Sequence, residues 1–214
     1  MAKHADTTTE HPEGRVFVKI CGLGTAEDVA AAVSAGADAV GFVLSHTSPR
    51  ALEPDEIARL AALVPAGIDT VLVAHDREAA EAARIASDAG VSVLQLHGGH
   101  FVAADYAAAA EIMPRIWRAV SLRDEPELTV GALGEELLLL DSPVAGSGSR
   151  WNLEELGSAR PEGPWLLAGG LDPENVAAAI AEARPGGVDV SSGVESAPGV
   201  KDHAKIRAFV AQTR

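Results

Sequence analysis

The chain has 214 residues with 17 basic and 31 acidic side chains, and its formal charge of -14 at pH 7 disfavours nucleic acid or an anionic membrane as a partner. This length favours one domain with a substantial core. The single cysteine excludes an internal disulfide and predicts a reducing compartment, the cytoplasm, and no run of residues is long and apolar enough to predict a membrane span.

After a polar start that predicts a flexible tail over residues 1–14, short β-branched or leucine-rich runs alternate with longer alanine-rich stretches of helical period. The short runs predict eight strands, at 16–20, 38–43, 69–74, 91–96, 115–120, 136–141, 164–169 and 187–192. The alanine-rich stretches predict helices at 25–36, 54–64, 76–90, 100–113, 172–183 and 201–213. Helix N-caps are predicted at Thr25, Asp55 and Asp172, and helix ends at Gly36 and Gly90.

Parallel neighbouring strands need a crossover, so weaker helices are predicted around 124–133 and 152–159, after strands five and six. A strand and a helix repeated eight times close most economically into a single (β/α)8 TIM barrel, an α/β fold of roughly 250 residues. The barrel is predicted over residues 15–214. An open doubly wound sheet is the competing fold, but the stretch "GLGTAED" lacks the third glycine of a dinucleotide-binding fingerprint.

Functional groups of such a barrel gather at the carboxyl ends of the strands. Alternation in strand one points Lys19 and Cys21 into the barrel and leaves Val18 and Ile20 to pack on helices. The same rule points Asp141, at the end of strand six, inward. Cys21 and Asp141 are therefore predicted to face the same catalytic end.

A thiol and a carboxylate across a barrel mouth suit proton transfer at carbon, where one group removes a proton and another supplies one. Cys21 is alternatively a small buried hydrophobe and Asp141 a capping or paired strand end. Lys19 either lowers the pKa of the thiol or only pairs with a barrel carboxylate.

Three glycine-rich stretches follow the late strands, at 145–149, 168–175 and 191–196. In (β/α)8 enzymes the loops after strands seven and eight often bind phosphate through backbone N–H groups. Such a phosphate site would be lined by Gly169, Gly170, Ser192 and Gly193. Ordinary tight turns, which also demand glycine, are the alternative.

Arg50 lies in the loop after strand two, where a guanidinium can hold a substrate carboxylate with two parallel hydrogen bonds. A solvated loop arginine is the alternative. His97 ends strand four and either touches substrate or has a structural role. The spacing of His46, His75 and His100 requires no metal, and the sequence has no HExxH or cysteine-rich motif, so no metal site is predicted.

Several stretches in order resemble phosphoribosylanthranilate isomerases: "VKICGL", "AGADAVGFV", "SPR", "VLQLHG", "LLLLDS", "GSG", "LAGGLDPENV" and "GVDVSSGVESAPGVKD". The resemblance covers nearly the whole chain after the tail. It implies a cofactor-independent Amadori rearrangement of N-(5-phosphoribosyl)anthranilate, an aldose-to-ketose isomerisation in tryptophan biosynthesis. The implied partner is a small phosphorylated substrate.

The resemblance also implies residue roles. Cys21 is the general base at ribose C2, Asp141 is the general acid at the ring oxygen, and Arg50 holds the anthranilate carboxylate. The predicted substrate-binding set is Arg50, His97, Gly146, Ser147, Gly148, Gly169, Gly170, Ser191, Ser192 and Gly193.

Two places depart from the family pattern, the loop at 149–153 and Ala74 at the end of strand three. Neither touches Cys21 or Asp141. One rival is the related isomerase of histidine biosynthesis, or a bifunctional relative, and these have an aspartate at the end of strand one. A non-catalytic phosphate-binding barrel is the other rival. A monomer is favoured over a dimer.

Overall fold

A computed structural model describes residues 15–124, 126–141 and 160–214. Eight parallel strands form a closed barrel in chain order. These strands are β1 Phe17–Cys21, β2 Ala39–Leu44, β3 Asp69–Ala74, β4 Val93–His97, β5 Ile116–Ser121, β6 Leu137–Asp141, β7 Trp165–Leu167 and β8 Gly187–Val190. The predicted (β/α)8 barrel is thereby confirmed, and the open sheet is excluded because β1 pairs with β8.

The α-helices of the described ranges are α1 Ala26–Ala35, α2 Pro54–Ala61, α3 Ala79–Asp88, α4 Ala103–Ala110, α5 Val176–Ala183 and α6 His203–Ala211. A short antiparallel ribbon, β9 Glu195–Ala197 and β10 Val200–Lys201, lies between β8 and α6. This ribbon was not predicted, and it contributes to the site described below.

Helix ends follow the predicted capping chemistry in part. Thr25 caps α1 in a capping box with Asp28, and Gly36 ends that helix at φ 92°. Asp55 was wrongly predicted as an N-cap, because Pro54 begins α2 and the cap is Glu53. Asp172 was also wrongly predicted as an N-cap, because α5 begins at Val176 and its N-cap is Asn175. The Asp172 carboxylate instead accepts from the backbone N–H groups of Glu174 and Asn175 in the turn before the helix.

The helix predicted at 124–133 is wrong. A single 3-10 turn, Leu122–Asp124, follows β5, and no α-helix forms in the described stretch 126–136. Pro126 and two glycines at positive φ, Gly131 and Gly134, interrupt any helical run there. The helix predicted at 152–159 and the tail at 1–14 lie outside the described residues.

Buried side chains form two layers. Outward-facing strand residues pack against the helices, and an inner cluster that includes Phe17, Cys21 and Trp117 fills the barrel. Four polar side chains are also buried on the inner face of the barrel, Lys19, Gln95, Asp141 and Asp189. Burying polar groups is costly unless they are paired or used, so their presence at this level suggests a functional interior.

Candidate active site

A cavity of about 360 Å³ opens at the carboxyl end of the barrel. It is lined by every predicted site residue that the structure describes except Gly193: Cys21, Arg50, His97, Asp141, Gly169, Gly170, Ser191 and Ser192. The predicted residues Gly146, Ser147 and Gly148 lie outside the described residues. Residues far apart in sequence are thus gathered round one space.

Cys21 and Asp141 reach this cavity from different sides. Cys21 ends β1 and Asp141 ends β6, with β7 and β8 between them round the barrel. Both are nearly buried, with exposed fractions of 7% and 9%. A small molecule in the cavity therefore meets a thiol on one side and a carboxylate on another, as the alternation pattern predicted.

The Cys21 thiol lies among charged groups of the barrel interior. Burial raises the pKa of the thiol, the Lys19 ammonium opposes that rise, and the Asp189 carboxylate adds to it. The net pKa is above its ordinary value, so Lys19 favours the thiolate without making the thiol acidic overall.

Lys19 also forms an ion pair with a barrel carboxylate, which was the alternative prediction for this residue. Its Nζ donates to Oδ1 of Asp189 at 2.7 Å, and its side chain has no exposed surface. Burial alone lowers the pKa of Lys19, but the charges of Asp189 and Cys21 and the hydrogen bond to Asp189 raise it above the ordinary value. Lys19 is therefore a buried cation.

Gly22 provides the turn by which the chain leaves β1. Its φ is 73°, and a Cβ there would lie 2.7 Å from Cδ of Arg50. Any larger residue would be strained and would displace the arginine. The glycine that follows the only cysteine therefore lets the Arg50 side chain cross directly over the end of β1.

Arg50 is not a free loop arginine. Its Nε and Nη2 donate to the two carboxylate oxygens of Glu195 in β9, at 2.6 and 2.8 Å. The same carboxylate accepts from Nζ of Lys201 in β10 at 2.8 Å. Burial alone raises the pKa of Glu195, but the hydrogen bonds and charges of Arg50 and Lys201 together lower it, so the carboxylate is ionised.

His97 lies beside the carboxylate, with Nε2 3.6 Å from Oδ2 of Asp141. Burial lowers the pKa of His97 to about 4, with His75, Lys19 and His100 adding to that effect. His97 is therefore neutral near pH 7. Its carbonyl oxygen lies 2.8 Å from Nδ1 of His75, whose ring packs edge-on against those of His97 and His100.

The loops after β7 and β8 meet at the cavity rim. Gly169 and Gly170 both have positive φ, at 84° and 64°. Gly193 lies behind them, where a Cβ would overlap the carbonyl oxygen of Leu171. The two loops can approach only because position 193 has no side chain, and their backbones then line one side of the cavity with Ser191 and Ser192.

Sequence reasoning missed four residues of the site: Gln95, Asp189, Glu195 and Lys201. Gln95 and Asp189 line the cavity, and Oε1 of Gln95 is buried with no hydrogen-bond partner among the described residues. Their polar character at inward positions of β4 and β8 was the available signal. No such signal marked Glu195, because its pairing with Arg50 spans 145 residues of sequence.

The described residues contain no cluster of three or more histidine, cysteine or acidic side chains able to hold a metal ion. No helix in the described ranges is long and apolar enough to cross a membrane. The fold and the cavity together define a TIM-barrel enzyme with a thiol and a carboxylate facing one substrate space and glycine-rich loops at its rim.

The family model for N-(5'-phosphoribosyl)anthranilate isomerase matches residues 18–212. A curated N-(5'-phosphoribosyl)anthranilate isomerase from Geobacter sp. (strain M21) is 42% identical over 201 residues, which cover 92% of this chain and 97% of the relative. The chain therefore belongs to this family, and it is an isomerase of tryptophan biosynthesis, as the sequence predicted.

Solved structures agree with this assignment. The crystal structure of TrpF from Jonesia denitrificans is 56% identical, with a TM-score of 0.88, and the match covers 93% of this chain and 97% of that one. A phosphoribosyl anthranilate isomerase in complex with reduced 1-(o-carboxyphenylamino)-1-deoxyribulose 5-phosphate is 35% identical, with a TM-score of 0.78 and coverage of 92% and 98%.

Proposed function

We propose that this chain converts N-(5'-phosphoribosyl)anthranilate to 1-(2-carboxyphenylamino)-1-deoxyribulose 5-phosphate with Cys21 as general base and Asp141 as general acid. The observation that carries the proposal is that both side chains line one cavity from β1 and β6. The reaction needs a proton donor and a proton acceptor on the same sugar, and this pair can supply both.

The steps balance without an external oxidant. Asp141 donates a proton to the furanose ring oxygen, the bond from C1 to that oxygen breaks, and the nitrogen lone pair forms an iminium. The Cys21 thiolate then removes the proton at C2, and the electron pair moves toward the iminium to give an enolamine. Protonation at C1 and loss of the hydroxyl proton at C2, both exchanged with water, give the aminoketose. Cys21 then releases its proton to water and Asp141 is reprotonated, so the cycle closes and the substrate itself is the electron sink.

The two anionic ends of the substrate have matching groups in the cavity. A relative binds a reduced analogue that carries a carboxylate and a phosphate. We assign the carboxylate to Arg50, whose Nη1 is not used by Glu195. We assign the phosphate to the rim formed by Gly169, Gly170, Ser191 and Ser192, where backbone N–H groups and hydroxyls are suitable donors.

The test is loss of substrate fluorescence, with N-(5'-phosphoribosyl)anthranilate made in situ, for the parent, Cys21→Ala and Asp141→Asn. We expect kcat to fall by at least roughly a hundredfold in each variant, the usual scale for losing a general acid or base. Val73→Ala is the matched control, since it trims another buried cavity residue that carries no proton to transfer. Either variant keeping kcat within tenfold of the parent would overturn the assignment.

We also propose that residues 15–214 form one catalytic domain that acts in the cytoplasm as a monomer. In support of a monomer, the large exposed hydrophobic residues of the described ranges, Leu63, Val102 and Val200, lie on separate segments. One relative, from Thermotoga maritima, is described as dimeric. Light scattering coupled to size exclusion measures the mass directly, and a dimer would contradict the proposal.

A further inference from the structure

Lys19 and Asp189 form an ion pair directly beneath the cavity. They are register partners on β1 and β8, and both side chains are buried. Asp189 lines the cavity, whereas Lys19 lies below it and has no exposed surface. A buried lysine without a counter-charge would be strongly unfavourable, so the Asp189 carboxylate offsets part of the cost of burying the Lys19 ammonium.

Cys21 is the second neighbour of this lysine. It lies two residues further along β1 on the same face of the strand. Gly41 of β2 contacts both side chains, since a Cβ there would lie 2.8 Å from Sγ of Cys21 and 3.3 Å from Cε of Lys19. The missing side chain at Gly41 lets the thiol and the lysine lie side by side.

Other cations near Cys21 are already held elsewhere. The charged groups around the thiol are Lys19 on β1, Asp189 on β8, Lys201 on β10 and Arg50 after β2. Arg50 and Lys201 both bind the Glu195 carboxylate. Lys19 is the cation on the same strand as the thiol, and its counter-charge is shared with no other cation in the described part of the chain.

We propose that Lys19 is a positioning residue for the isomerisation, sharing its ammonium between Asp189 and Cys21 so that the thiolate is held in place as the proton acceptor. This inference rests on the proposed role of Cys21 as the base. It assigns opposite effects to the two members of the ion pair, because Lys19 stabilises the thiolate and Asp189 opposes it. A pair that served only to stabilise the fold would instead give both variants the same loss of kcat at every pH.

The single cysteine makes the test direct, since alkylation by iodoacetamide reports one thiol. The rate is measured against pH for the parent, Lys19→Met and Asp189→Asn, with folding checked by circular dichroism. We expect Lys19→Met to slow alkylation at neutral pH by roughly tenfold, which corresponds to a rise of one unit in the pKa of the thiol. Asp189→Asn is expected to speed it.

The matched control is Arg118→Met. It breaks another buried pair, Arg118 with Glu135 at 2.6 Å, whose members do not line the cavity. This control should leave the thiol titration unchanged. If Lys19→Met and Asp189→Asn move the titration in the same direction, or if neither moves it, the proposal fails. If Lys19→Met does not fold, the sign of the Asp189→Asn shift decides.

The rate profile separates this inference from the proposed function. The kcat of Lys19→Met should recover toward alkaline pH in step with its thiol titration, whereas the kcat of Cys21→Ala should stay low at every pH. A thiol titration that Lys19→Met leaves unchanged, together with loss of turnover in Cys21→Ala, overturns the role of Lys19 while leaving the base assignment standing. Turnover by Cys21→Ala overturns the base assignment itself.

Discussion

The Glu195 carboxylate accepts two parallel hydrogen bonds from Arg50, from Nε at 2.6 Å and from Nη2 at 2.8 Å. The carboxylate is itself fixed by Lys201 and by the backbone N–H of Gly199 at 3.2 Å. A flexible loop side chain thereby acquires a single orientation over the end of β1. Preorganisation of this kind reduces the entropy lost when a substrate anion binds.

Glu195→Gln is expected to raise KM by roughly tenfold with a smaller change in kcat, because a charge-assisted hydrogen bond contributes about 1.5–3 kcal/mol. Steady-state kinetics measures both constants. The control is Glu136→Gln. Glu136 directly precedes β6, and its carboxylate accepts a hydrogen bond from a different arginine, Arg115. An unchanged KM would mean that Arg50 needs no support from Glu195.

The pH profile of kcat/KM reports the ionisation of the free enzyme. Burial raises the pKa of the Cys21 thiol, so the thiol form predominates at neutral pH. Since the thiolate is the active base, kcat/KM should increase as pH rises and level off only above that pKa. In Cys21→Asp, where the base is a carboxylate, the rising limb should move to lower pH. A profile that falls above neutral pH with no rising limb would contradict a thiolate base.

Gly41→Ala should lower kcat without removing any chemical group. The added methyl would lie 2.8 Å from Sγ of Cys21, so the thiol must move, and overpacking of this kind costs about 1–3 kcal/mol. Gly24→Ala is the control, since a Cβ there would lie 4.0 Å from its nearest neighbour, Oδ2 of Asp28. Equal kcat values for the two variants would show that turnover does not depend on the exact position of the Cys21 thiol.

Gly193→Ala should weaken binding of the phosphate end. A Cβ there overlaps the carbonyl oxygen of Leu171, so the loops after β7 and β8 must separate. Titration with inorganic phosphate as a competitive inhibitor measures this effect apart from turnover, and Ki should increase several-fold. Gly186→Ala, whose Cβ would lie 3.3 Å from the nearest backbone oxygen, serves as a milder control. An unchanged Ki would remove this rim from the phosphate site.

The sequence predicted the inner face of the barrel well because a strand alternates with period two. Lys19, Cys21 and Asp141 all lie on the faces that alternation assigned them, since Cys21 and Asp141 line the cavity and Lys19 binds the cavity residue Asp189. Contacts between distant segments were beyond this reasoning. The partner of Arg50 lies in a ribbon that forms only after β8, and nothing local marks Glu195 as that partner.

The helix prediction for the segment after β5 failed for a different reason. The expected helix rested on the need for a crossover, but a connection can also be made by turns. The chain there contains Pro126, Gly131 and Gly134, and Thr129 instead bridges to Glu162 near the start of β7. Local composition outweighed the topological expectation.

Closure of the ring between β1 and β8 joins residues separated by 170 positions, Lys19 and Asp189. During synthesis Cys21 emerges from the ribosome well before Asp189, which emerges only with β8, the last strand of the barrel. A nascent chain that stops before residue 187 therefore carries the thiol without the environment that the finished barrel gives it. The site therefore becomes competent only when β8 closes the barrel against β1.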